Sequence, residues 1–171
     1  MIWITSDEHY GHTNIIKYCK RPFKHIDDMN DQLIERHNKL VDRDDIVYHL
    51  GDFCRYKPDN ILRRLNGRHH LVLGNHDDRK EVRAAGFISV HDVFWLKAYE
   101  CEFFLSHYAH RIWNKAHHGS YHLYGHSHGG LPGQGRSMDV GVDVERRYAP
   151  WSLPEIIKKL EKQPYGHHHG D

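Results

Sequence analysis

The chain has 171 residues, a formal net charge of +1 and 39% hydrophobic residues; that suits one domain with a sizeable core and gives no polyelectrolyte signal for nucleic acid. Cys19, Cys54 and Cys101 are far apart with no C-x-x-C, which argues against a disulfide scaffold or a thiolate zinc site and for a reducing, cytoplasmic setting. No apolar run reaches the ~18 residues of a membrane span, and the start has no signal-peptide pattern.

In chain order, residues 1–6 read as a buried strand and 13–19 as a short helix. Residues 27–41 make a better helix: Asp27 or Asp28 can cap it, and Met29, Leu33, His37 and Leu40 or Val41 recur near helical period. A strand at 46–50 ends at Gly51. A helix at 58–66 has Pro58 near its start and Gly67 just past its end. A strand at 70–73 ends at Gly74, and 79–85 reads as a short helix. Then the texture changes: 93–99 and 101–106 look like paired strands, 122–124 and 138–144 like two more. A last helix starts after Ser152 with Pro154 in its first turn. The domain is expected to span 1–163. Residues 164–171, with His167, His168 and His169, read as a polar tail. Alternation followed by successive strands predicts an α/β domain with a mixed sheet or two facing sheets.

Histidine is unusually frequent, at 19. Outside the tail it clusters beside Asp, Asn and Gly at one kind of address. Asp7-x-His9, Gly51-Asp52, Gly74-Asn75-His76-Asp77, His107 and Gly125-His126-Ser127-His128 each follow a predicted strand. Ligands of α/β sheets sit outside the carboxyl ends of the strands, so five strands deliver donors to one rim. Gly51, Gly74 and Gly125 are expected to let the backbone turn sharply there. Asp7, His9, Asp52, Asn75, His107, His126 and His128 make seven oxygen or imidazole donors. One tetrahedral ion needs about four, so the set suits two ions with one bridging carboxylate. The donor mixture fits Mn²⁺, taken first, or Fe, Zn²⁺, Ni²⁺ or Co²⁺. Two ions roughly 3.5–4 Å apart can hold a hydroxide and clamp a phosphoryl group for in-line displacement. His76, beside a ligand but not one, is the candidate to stabilise or protonate the leaving oxygen, with Asp77 to hold its ring.

At these five motifs, in this order over about residues 1–145, the sequence resembles the calcineurin-like metallophosphoesterases. The stretch from Ser6 through Ile16 looks like a compact bacterial and phage subgroup of that family. The resemblance implies an αββα sandwich of two facing mixed β-sheets flanked by helices. It implies one ion on Asp7, His9, Asp52 and His128, and another on Asp52, Asn75, His107 and His126. The G-D-x-x-D-R-G pattern of protein phosphatases is absent; Gly51-Asp52-Phe53-Cys54-Arg55 stands in its place. The expected activity is therefore hydrolysis of a small nucleotide-like phosphodiester. A monoesterase or a nuclease acting on nucleic-acid ends would use the same site, and a non-catalytic interaction module is the competing class.

His12, Asn14, Arg55, Arg79 and His118 are candidate substrate contacts, because they follow the motifs closely or lie between them. His49, His70 and His122 fall within strands and read as packing or surface residues. Arg63, Arg64 and Arg68 read as a solvated face. Trp3, Trp95 and Trp151 read as core, while Trp113, in a loop-like stretch, is the tryptophan with a chance to stack on a base.

Overall fold

The computed structural model describes residues 1–165, so the histidines at 167, 168 and 169 lie outside the described residues. The elements in order are β1 (Ile2–Thr5), α1 (Ile15–Tyr18), α2 (Ile26–Leu40), β2 (Ile46–His49), α3 (Pro58–Leu62), β3 (Arg68–Val72), α4 (Arg79–Ala84) and β4 (Ser89–His91). After them come β5 (Val93–Ala98), β6 (Cys101–Ser106), β7 (Tyr121–Tyr124), β8 (Ser137–Asp139), β9 (Trp151–Ser152) and α5 (Leu153–Leu160). They form two mixed sheets, ordered β4-β3-β2-β1-β9 and β5-β6-β7-β8. The first is parallel except for β9, and the second is parallel except for β5.

Alternation along each strand decides which layer a side chain enters. Ile4, Tyr48, Val72, Phe103, Leu105, Leu123 and Trp151 point between the sheets and join Leu153, Ile156 and Leu160 of α5 in one buried cluster. Met29, Leu33 and Ile34 of α2 pack with Phe53, Leu62 and Leu71 in a second cluster on the helix side of the first sheet. Each fully buried side chain of this size contributes about 1.5–3 kcal/mol. The out-of-phase positions of the second sheet are covered by Trp113, whose ring lies 5.2 Å from that of His122.

Local chemistry moved several expected boundaries. Asp27 and Asp28 do not cap α2: His25 does, its Nδ1 accepting from the Asp28 N–H at 3.2 Å. Helix α3 stops at Leu62, because the next turn tightens through Arg64 N–H to Ile61 O and Leu65 N–H to Leu62 O. The strand expected at 138–144 ends at Asp139, whose carboxylate accepts from the Gly141 N–H at 2.7 Å and turns the chain. Strands β4 and β9 were not expected. Trp113 is no stacking platform: it is buried, and its Nε1–H donates to Ser120 O. Arg63 and Arg64 lie on an exposed face, paired to Asp59 and Asp31. No helix among the described residues is long and apolar enough to cross a membrane.

Candidate metal centre and active site

Strands β1, β2 and β3 run parallel in register, with Thr5 opposite His49 and His49 opposite Leu71, so the segments after them emerge at one rim. Leu105 pairs with Leu123 in the second sheet, which brings His107 and Gly125 to its corresponding edge. The rims are joined where Ser6 bridges to Gly141. All seven candidate ligands meet at that seam. Asp7, His9 and His128 bring donor atoms within 4.8 Å of one another; so do Asp52, His107 and His126. One atom links the groups: Asp52 Oδ2 lies 3.5 Å from His9 Nε2 and 3.6 Å from His107 Nε2.

The donor set fits cations. His107 donates its Nδ1–H to Leu50 O at 2.8 Å, so Nε2 carries a lone pair. That lone pair lies 3.0 Å from Asn75 Oδ1 and 3.6 Å from Asp52 Oδ2, a convergence of acceptors that a cation relieves. His9 Nε2 is buried with no hydrogen-bond partner. Burial drives the His9 pKa down to about 2, helped by the positive His128 and Arg21, so its nitrogen is a free ligand. Asp7 is fully buried, and that burial pushes its carboxyl well above the usual range against the pull of His128. A divalent cation beside it would favour the charged carboxylate that burial opposes.

The backbone is strained to achieve this. Asp7, His9, Asp52, His126 and His128 all have left-handed φ, from 48° to 66°. Such a conformation costs non-glycine residues roughly 1 kcal/mol or more each. Cross-links between loops hold it: Asp7 N–H donates to Gly51 O at 3.0 Å and His9 N–H to Asp52 O at 2.9 Å. Gly51 supplies the expected sharp turn, at φ 95°. Gly74 and Gly125 do not; they allow close approach instead. A Cβ at Gly74 would sit 2.2 Å from Asp52 Oδ1, and one at Gly125 1.9 Å from Ser6 Oγ.

Asp77 takes another role than the one expected. Its carboxylate accepts the backbone N–H groups of Asp52, Phe53 and Gly74, each at 2.9 Å, and clamps two ligand loops rather than the His76 ring. Burial nevertheless raises its pKa. His76 donates its backbone N–H to Asp52 Oδ1 at 2.8 Å, and its exposed ring lies 5.4 Å from His9 and 5.7 Å from His12. It is in neither donor group among the described residues.

A cleft of ≈ 810 Å³ opens over the donors, lined by His9, His12, Asn14, Arg55, Asp52, His76, His126 and His128 among others. Three expected substrate contacts, His12, Asn14 and Arg55, therefore face it. Two do not. Arg79 pairs with Asp92 on the surface, and His118 lines a separate hollow with Lys115 and Arg136. Arg79 follows a motif and His118 lies between two of them in sequence, but neither lines the cleft in space.

Sequence reasoning missed the supports. Asp143 Oδ2 accepts the Nδ1–H of His128 at 2.7 Å and aims the ring. Burial opposes charge on His128, but Asp143, Cys19 and Asp7 outweigh it and hold the pKa up at about 10, so a cation held by this ring would have to displace its Nε2 proton. Buried Arg21 binds Asp143 through Nε and Nη2 and also donates to Asp7 O and Glu8 O. Asp139 accepts from Ser127 Oγ and Gly129 N–H, fixing the His126–His128 loop. Cys19 lies within 4.8 Å of donor atoms of His128 and Asp143. Only the spacing of Asp139 and Asp143 just after Gly-His-x-His offered a signal; nothing marked Arg21.

Two mixed sheets flanked by helices, with acid and imidazole donors at the meeting strand ends, define the calcineurin-like metallophosphoesterase fold. An archaeal phosphodiesterase shares it, with TM-score 0.53 and 20% identity over 82% of this chain and 81% of that one. AQ665 from Aquifex aeolicus, a protein of unknown function, superposes with TM-score 0.74 and 25% identity over 94% of this chain and 99% of its own. The chain belongs to one family with MJ1445 of Methanocaldococcus jannaschii, itself uncharacterized: 34% identity over 172 residues, covering 94% of this chain and 92% of the relative. No protein-family model matches the chain.

Proposed function

We propose that the chain is a metal-dependent phosphoesterase with two divalent cations, hydrolysing a small nucleotide-like phosphodiester. The observation that carries this is the pair of donor groups bridged by Asp52 Oδ2, with His9 Nε2 buried and unpartnered between them. Asp7, His9, Asp52 and His128 would hold one ion, and Asp52, Asn75, His107 and His126 the other. The all oxygen and imidazole set favours Mn²⁺ first, with Fe, Zn²⁺, Ni²⁺ and Co²⁺ compatible. When bound, the ions supply Lewis acidity and activated water.

The chain's own residues do the rest. Asp77 and Asp139 hold the ligand loops in their strained form before substrate arrives. Arg55 and His12 face the cleft and give the phosphoryl oxygens cationic or hydrogen-bonding partners. His76 stands beside the donors without joining them, where an imidazolium can hand its proton to the departing oxygen. The ≈ 810 Å³ of the cleft exceeds what a single phosphoryl group fills, which suits a diester.

The test compares chromogenic phosphodiester and phosphomonoester turnover with added Mn²⁺, and plasmid nicking in parallel. Diester turnover that Asp52→Asn abolishes together with bound metal is expected. No turnover on any of the three substrates by metal-loaded protein would sink the reading. Preference for the monoester or for DNA would redirect it.

A further inference from the structure

We propose that Tyr18 and Tyr56 bind the base of a nucleoside phosphoester by stacking, with Arg55 holding a phosphate beside them. This rests on the phosphoesterase reading for the chemistry but not for the binding.

Tyr18 ends α1, and Tyr56 follows the Asp52 loop. They are 72% and 66% exposed, more than any other large hydrophobic side chain among the described residues. Neither ring joins either core cluster. Both line the cleft over the candidate metal ligands; among the described residues Tyr18 has no ring or cation against it, and Tyr56 has the Arg55 guanidinium near one face. Leaving two aromatic rings in water forgoes their burial; covering them with a flat ring recovers it.

Charge and size agree. The Arg55 guanidinium lies 5.6 Å over the Tyr56 ring, and its Nε–H donates to Tyr56 Oη at 3.4 Å. Among the described residues no carboxylate pairs with Arg55, and of the arginines that lack one it alone lines this cleft. That leaves a cation facing the cleft for an anionic ligand. Asn14 stands at the N-cap of α1 without making the capping bond, so its side-chain amide is available to a polar base edge. A bare phosphate, comparable to a few waters of about 30 Å³ each, fills a small part of the ≈ 810 Å³.

Calorimetric titration of the Mn²⁺-loaded chain with adenosine monophosphate, and separately with inorganic phosphate, reads this without turnover. Tyr18→Ala and Tyr56→Ala are expected to weaken the nucleotide by about fivefold to a hundredfold each; Tyr18→Ala, which touches no phosphate-holding residue, is expected to leave inorganic phosphate unchanged. Tyr18→Phe should stay near wild type, because the ring is kept. Wild-type nucleotide affinity in both alanine variants, equal loss of inorganic phosphate in Tyr18→Ala, or no nucleotide binding by the wild type would each overturn the proposal. Nucleotide binding without hydrolysis of any phosphoester would instead overturn the phosphoesterase reading and leave the stacking site standing.

Discussion

Asp143 and Arg21 show how much of a site lies in residues that carry no motif. Asp143 orients His128, and Arg21, buried, orients Asp143. Removing the carboxylate outright would strand a buried guanidinium, at a cost of about 3–5 kcal/mol. Asp143→Asn keeps one oxygen acceptor and is the better probe. It is expected to fold and, if the centre holds the two proposed ions, to weaken the one on His128 about tenfold to a hundredfold, leaving the other alone. Calorimetric Mn²⁺ titration checks this; two unaltered binding steps would refute the positioning role. His76→Ala should behave oppositely, retaining both ions while losing about 10²–10⁴ in kcat. Metal loss in that variant would make His76 a ligand. The seven candidate donors could be picked out because all but His107 sit within two residues of a glycine or another candidate, and each follows a strand. Arg21 was not, since its partner is 122 residues away and arginine has too many ordinary uses. Asp77 was misread because adjacency in sequence to His76 is not contact: its carboxylate turns toward three backbone N–H groups instead.

At the scale of elements, the loops after β1, β2, β3 and β7 are pressed together more closely than side chains permit, and glycine marks the points of contact. At Gly74 a Cβ would meet not only Asp52 Oδ1 but Asp52 N at 2.3 Å, which no rotamer change relieves. Gly74→Ala must therefore push the β2 and β3 loops apart. A destabilisation of about 1–3 kcal/mol is expected, read as a lower urea midpoint, together with loss of bound metal. A variant with wild-type midpoint and metal content would show that the loops have slack. The major helices and the two sheets were readable from periodicity because they are long or flanked by clear stops. Strands β4 and β9 span three and two residues. Pieces that short have no period to read, and they exist because the sheet beside them offers unpaired edges. The cap of α2 escaped for a related reason: an imidazole at His25 can accept a backbone N–H, but aspartate is the commoner cap.

Across the whole molecule, many buried histidines are held neutral, and this ties stability to pH. His122 is the cleanest case. Its Nδ1–H donates to Phe104 O at 3.1 Å, and its Nε2 accepts the His110 N–H at 2.9 Å. Protonation at Nε2 would set N–H against N–H. Burial, opposed by the Phe104 carbonyl and aided by His110, lowers its pKa to about 4, against about 6.5 for an unfolded histidine. Between those values the unfolded chain binds more protons at this position than the folded one. Stability from His122 is thus complete above about pH 6.5 and lost as pH falls through about 4, on the order of 3 kcal/mol in all. His37, lowered to about 4 by burial, adds to it with the same sign. Glu8, raised by burial to about 7, acts with the opposite sign, gaining stability as pH falls from about 7 toward its usual value. The total slope is therefore a near balance of large parts, and the difference between two proteins isolates one of them. In the presence of chelator, wild type and His122→Gln should diverge in urea midpoint at pH 7.5 and converge toward pH 4.5. An NMR titration should find the His122 ring neutral at pH 5.5. A ring that titrates near 6.5, or a gap between the two proteins that does not change with pH, would mean that the pairing with Phe104 and His110 does not hold in solution.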